Sequence, residues 1–250
     1  MFGRLFVDSR EAFCQLVFPG SCPLCGEEGQ AAPFCLACRR KILEQAADAG
    51  GRACPRCALL GGPYADLRGG CAACRDRSLG FDAALALGTY TGEIQKLCLR
   101  LKNESNAWLA PWLSDLFVEA RGSALSQLPR DTCVVPVPLY WLRRCWRGYN
   151  QAEALAEGLG QRLNFPVVHA LRRVVATEQL AHKGRTARNE VMRGAFRPRS
   201  GSQLVGRTVL LVDDILTTGA TSGAAARALK RAGAARVIVV VIARTEQQTL

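Results

Sequence analysis

At 250 residues, with 49% hydrophobic side chains, the chain suits one large domain or a domain with a small appendage, and is too apolar for a disordered segment. It holds no run of eighteen apolar residues, which excludes a membrane-spanning helix. A net charge of +12 points toward polyphosphate ligands or nucleic acid, between which charge alone does not choose.

Residues 1–13 carry charges throughout and lack the apolar stretch of a secretion signal, so a cytoplasmic location is expected. Phe2, Leu5, Phe6 and Phe13 give them the spacing of a short amphipathic helix. Four C-x-x-C pairs follow: Cys22/Cys25, Cys35/Cys38, Cys54/Cys57 and Cys71/Cys74. In a chain expected to be cytoplasmic, such pairs argue for metal rather than disulfides. Two residues between thiolates let both sulfurs reach one ion, and eight soft ligands make two structural four-cysteine sites selective for Zn2+. Sequential pairing would give two tandem zinc ribbons and interleaved pairing a cross-brace; the short spacer within each half favours the sequential arrangement. Of the remaining cysteines, Cys98 and Cys133 sit in apolar patterns as small buried hydrophobes. Cys14 carries no evident role, and Cys145 is flanked by Arg144, Trp146 and Arg147.

From residue 80 onward strands alternate with helices, which predicts an α/β fold with a parallel sheet flanked by helices. Phe81–Tyr90 is a predicted strand, Thr91–Lys102 a helix with Thr91 as N-cap, and Ala107–Arg121 a second helix. Thr132–Val135 is a strand ended by Pro136 and Pro138. Between there and the helix Gln151–Leu163, Arg147 and Gly148 sit where a guanidinium and a close backbone approach suit a phosphate group. Trp141, Trp146 and Tyr149 either pack there or stack on bases of a single strand. Val167–His169 is a short strand, with His169 in a structural role. Glu178–Phe196 is polar and basic, a predicted mobile loop closing over the site with His182, Lys183, Arg185 and Arg188 as candidate ligands; His182 is also a candidate acid or base near neutral pH. Between residues 139 and 200, twelve Arg or Lys face four Glu.

The densest information lies in residues 206–221. Gly206–Val212 is a predicted strand, Asp213 and Asp214 stand at its carboxyl end, and Thr217-Thr218-Gly219-Ala220-Thr221 leads into a helix that runs to Lys230. Open α/β sheets place ligands at the carboxyl ends of their strands. Backbone N–H groups, the helix dipole and threonine hydroxyls suit a phosphate, while paired carboxylates suit sugar hydroxyls or phosphate-bound Mg2+. Val237–Ile242 is the last predicted strand.

Residues 209–221 resemble the ribose-5-phosphate signature of type I phosphoribosyltransferases. That likeness implies that Asp213 and Asp214 contact the ribose 2′- and 3′-hydroxyls of phosphoribosyl pyrophosphate and that Thr217–Thr221 hold its 5-phosphate. Over nearly its whole length the chain resembles the ComF family of competence proteins. The C-x-x-C repeats, Leu101-Lys102, Pro136-Val137-Pro138, Arg147-Gly148-Tyr149-Asn150-Gln151, Arg188-Asn189 and Arg193-Gly194-Ala195-Phe196 carry this resemblance beside the signature. Family members usually have phenylalanine at Tyr149 and Lys-Phe where this chain has Lys102-Asn103, so no role passes to Asn103. The resemblance implies an N-terminal helix and double zinc-ribbon domain over 1–79, and a type I phosphoribosyltransferase-like domain over 80–250. It also implies a part in natural transformation, handling incoming single-stranded DNA with competence or recombination proteins. Two functions are expected from this. One is an enzyme using Mg2+ and phosphoribosyl pyrophosphate, with Asp213, Asp214 and His182 as catalytic candidates and Arg147, Gly148 and Arg185 as further ligands. The other is a non-enzymatic single-stranded-DNA-handling factor that keeps the site for sensing or structure.

Overall fold

The computed structural model describes residues 21–28, 33–62, 64–140, 148–175 and 194–246. Four strands form its central sheet: β1 (Ala83–Thr89), β2 (Cys133–Pro136), β5 (Thr208–Leu216) and β6 (Arg236–Arg244). They run parallel in the order β1-β6-β5-β2. The predicted strand at 167 is one parallel bridge from Val167 to Val134, against the outer edge of β2. A separate antiparallel pair joins β3 (Leu171–Arg173) to β4 (Phe196–Pro198).

Alternate side chains of the buried strands feed opposite faces of the sheet. Leu210, Val212, Ile238, Val240 and Ile242 pack against helices α1 (Leu36–Arg52), α2 (Gly92–Leu101), α3 (Leu109–Leu125) and α4 (Gln151–Leu163). Val209, Leu211, Val237, Val239 and Val241 face the other way, onto α5 (Ala220–Arg231) and the β3–β4 pair. The inner stripe of α5 is Ala224, Ala225, Ala226, Ala228 and Leu229, small enough to hold the helix close to the sheet.

Helix α1 is absent from the sequence expectation, which placed only a spacer between cysteine pairs. Ile42, Ala46 and Ala49 recur at helical spacing and are buried. Ile42 and Ala46 share one core with Leu87, Ile94 and Phe117, so packing crosses the boundary drawn at residues 79 and 80. The buried Arg121 guanidinium fastens this junction, donating to Ala86 O at 2.8 Å, Leu87 O at 2.9 Å and Ala46 O at 2.9 Å. No helix among the described residues is long and apolar enough to cross a membrane.

Several expectations about the elements change: the second predicted helix runs on to Leu125, and β2 includes Pro136, which pairs with Val212. β5 extends four residues past Val212, because β6 continues beside it until Leu216 meets Arg244. Thr91 occupies the N-cap position of α2 without a side-chain cap bond; its hydroxyl instead meets Thr89 and Gln45 of α1. The predicted loop to Phe196 ends earlier, because Ala195 and Phe196 are buried and Phe196 begins β4. The rest of that loop, residues 178–193, lies outside the described residues.

Candidate active site and metal centres

The eight paired cysteines form two sets in sequential grouping, Cys22/Cys25/Cys35/Cys38 and Cys54/Cys57/Cys71/Cys74. Measured sulfur separations are 3.6 Å for Cys25–Cys35, 3.6 Å for Cys54–Cys74 and 3.5 Å for Cys57–Cys71. Bonds of about 2.3 Å around a tetrahedral zinc put sulfurs about 3.8 Å apart, so both sets fit that ion. Each opens with the same knuckle. The amides of Gly26 and Ala58 donate to Cys22 O and Cys54 O, both at 2.8 Å, from residues of positive φ, +79° and +57°. Burial raises the thiol pKa of Cys22 and Cys54, but backbone N–H groups aimed at the sulfurs reverse this and bring both to about 7. Cys35 caps α1, its sulfur accepting from Cys38 N, so this pair also feels the positive end of the helix.

The second feature is a cleft of about 310 Å³ at the carboxyl ends of β2 and β5. Asp213 and Asp214 line it from β5, half-buried, with Thr217, Gly219, Thr221 and Ser222 on the turn into α5. Gly219 takes φ +78° at the N-cap of α5, the left-handed backbone that turns the chain from strand into helix. Opposite stands the start of α4, held by the buried Asn150: its Oδ1 accepts Ala152 N and its Nδ2 donates to Val137 O, both at 3.1 Å. Two helix N-termini therefore open onto the same space, and Lys102 and Arg173 add positive charge to its walls.

The acids have local partners. Asp213 Oδ1 accepts Asp214 N at 2.9 Å, and Asp214 Oδ1 accepts Ile215 N at 2.8 Å. Burial, then the neighbouring charge of Asp214, pushes the Asp213 carboxyl well above the usual carboxylate range, with Arg173 partly offsetting both. Two such acids suit a cation or a hydroxyl donor. The cleft thus sets backbone amides and hydroxyls on one side and two carboxylates beside them.

A phosphoribosyl transferase domain matches residues 147–250. The DNA utilization protein YhgH of Salmonella typhimurium is 31% identical over 238 residues, covering 92% of this chain and 99% of that protein. The chain belongs to the ComF family. Competence protein F of Haemophilus influenzae is 28% identical over 215 residues, covering 84% of this chain and 90% of its own. Competence protein ComFC of Bacillus subtilis is 28% identical over 206 residues, covering 80% and 79%.

The ComF-type site brings some of the expected residues together and leaves others elsewhere. Asp213, Asp214, Thr217, Gly219 and Thr221 share the cleft. Thr218 lines a separate crevice with Cys57, Cys74 and Phe81, and Ala220 begins α5. Gly148 is exposed with φ +71°, and a Cβ there would lie 2.1 Å from the Glu104 carboxylate; it is not part of the cleft lining. Arg147, His182, Arg185, Trp141 and Trp146 lie outside the described residues. Cys98 and Cys133 are fully buried, as expected, and burial pushes the Cys98 thiol up to about 12. Arg173, Lys102 and Gln151 are cleft residues to which sequence reasoning gave no site role. Lys102 and Gln151 fall inside motifs already noted for family resemblance, a signal that was available. Arg173 has none, since a three-residue strand leaves no pattern.

Proposed function

We propose that this ComF family protein binds magnesium phosphoribosyl pyrophosphate in the β2/β5 cleft and transfers its phosphoribosyl group to an acceptor during DNA uptake. The observation that carries the reading is the convergence of Asp213, Asp214, the threonine turn and the α5 N-terminus on one cleft. Asp213 and Asp214 would accept hydrogen bonds from the ribose 2′- and 3′-hydroxyls. Thr217 to Thr221 would take the 5-phosphate on backbone N–H groups and hydroxyls, in the field of the helix dipole. Lys102, Arg173 and the start of α4 would attract the pyrophosphate, joined in this reading by Arg147 and Arg185. Magnesium, when bound beside the acids, supplies neutralising charge for the leaving pyrophosphate. What the chain contributes is positioning and a preorganised field around C1. The two cysteine sets would hold structural zinc, all four ligands of each being protein sulfurs. The competence and DNA-utilization names of its relatives support a role in handling incoming DNA.

A second reading, a non-enzymatic factor for single-stranded DNA, is favoured by one observation: the excess of twelve basic over four acidic residues between 139 and 200. Calorimetric titration with phosphoribosyl pyrophosphate and magnesium tests the shared ligand. Wild-type protein should bind and Asp213→Ala/Asp214→Ala should not; equal affinity would sink the proposal. Pyrophosphate release against a panel of acceptors then separates the two readings. Turnover supports transfer; binding without turnover, with single-stranded DNA affinity falling steeply in salt, supports the second.

A further inference from the structure

Arg244 closes β6 opposite Leu216 of β5, and only 4% of it is exposed. Its guanidinium is spent on main-chain oxygens. Nε donates to Cys57 O at 2.8 Å, and Nη1 donates to Leu216 O at 2.7 Å, to Thr245 O at 2.9 Å and to Thr217 O. One end of this fork holds the backbone of a metal-ligand cysteine, and the other holds the chain as it leaves β5 for the phosphate turn.

Two further observations place the second cysteine set behind that turn. Thr218 and Gly219 form one wall of a narrow crevice whose other wall includes Cys57, Cys74 and Phe81. Arg244 is buried and pairs with no carboxylate among the described residues; the charges that face it are the thiols of the second set, Cys57 foremost. Four thiolates around one Zn2+ carry a net charge of −2, and Cys57 belongs to that set. The first cysteine set shares none of these bonds, being joined to α1.

The geometry points to Arg244 as a positioning residue through which the second cysteine set holds the 217–221 turn, linking zinc retention at that set to phosphate-ligand binding. The inference rests on the reading of this turn as the 5-phosphate site. With zinc in place, the Cys57 carbonyl is fixed, the guanidinium plane is fixed by it, and the Leu216 and Thr217 carbonyls are held so that the following N–H groups converge. Zinc loss frees the first link in this chain. Linkage is reciprocal, so a bound phosphate ligand must also retain the zinc.

The test uses the full-length, zinc-loaded protein and follows zinc release to a chromogenic chelator, with and without phosphoribosyl pyrophosphate and magnesium. Two release phases are expected, one per cysteine set. The ligand should slow the phase of the second set, identified as the one altered in Cys71→Ser, by about 5- to 150-fold, the range of ordinary coupling, and leave the other unchanged. Slowing of the other phase instead overturns the proposal. Arg244→Lys, which keeps the charge but not the fork, should bring the slowed phase back to its ligand-free rate. If calorimetry shows ligand binding while both phases keep their rates, the coupling is overturned and the phosphate reading stands. Absence of binding overturns both. Retention of full slowing in R244K overturns the role of Arg244, and if that variant does not fold, the wild-type comparison decides the linkage by itself.

Discussion

Asp213→Asn should make the protein more stable while destroying its ligand site. Asparagine has nearly the same shape and its Oδ1 can still accept the Asp214 amide, so the substitution removes a charge and little else. In the wild-type fold that charge is opposed by burial and by the adjoining Asp214. Unit charges roughly 5 Å apart repel by about 1–3 kcal/mol at effective dielectric constants between 80 and 20. For a chain of this size each kcal/mol shifts Tm by about 2–4 °C, so a rise of several degrees is expected in magnesium-free buffer at pH 8. The pH dependence follows from the direction of the shift. A carboxyl with its folded pKa above its unfolded value takes up its proton first in the native state. The strain is therefore absent at low pH and grows as pH rises through the folded pKa. The advantage of Asp213→Asn should shrink toward zero near pH 4. Differential scanning fluorimetry across this range, with parallel calorimetry for phosphoribosyl pyrophosphate, measures both effects. A variant no more stable than wild type at pH 8 would refute the reasoning, because Asp213 would then already be satisfied by the fold alone.

The cysteine sets predict two zinc ions per chain by elemental analysis, and Cys71→Ser should lower that number; an unchanged content of two would remove Cys71 as a ligand. Arg121→Met should cost about 2–3 kcal/mol, the range for losing hydrogen bonds from a charged group, because three buried carbonyls lose this donor. Chemical denaturation should register that loss with ligand affinity unchanged, and a cost below about 1 kcal/mol would contradict the role given to this guanidinium.

What was legible in the sequence was whatever lay in one contiguous stretch. The acids and the threonine turn occupy adjacent positions, so their chemistry could be read before any fold was known. The end of β5 could not, because Asp213 and Asp214 interrupt the apolar run, and only the pairing of Leu216 with Arg244 carries the strand further. Cysteine spacing favoured the two sequential four-cysteine sets but concealed α1, whose helical pattern lies between cysteine pairs and reads as spacer. The β3–β4 pair is three residues against three, two of the first three being arginines, and no periodicity can declare a strand that short. Arg173 and Lys102 reach the cleft from separate elements, so their proximity to Asp213 is a product of topology alone.

Two buried arginines explain why the cysteine modules belong to the architecture of the cleft. Arg121 and Arg244 each sit at a junction between an N-terminal segment and the sheet, and each spends its donors on carbonyls of both. A purely apolar junction would tolerate sliding, whereas a planar guanidinium is satisfied only when the carbonyls stand in one arrangement. Arg121 sets α1 against the edge strand β1, supporting the sheet away from the cleft. Arg244 ties Cys57 of the second cysteine set to the end of β5, where the threonine turn begins. The two cysteine sets should therefore fail differently. Disturbance of the first should loosen α1 and lower global stability, while disturbance of the second should weaken phosphate binding before the sheet is lost.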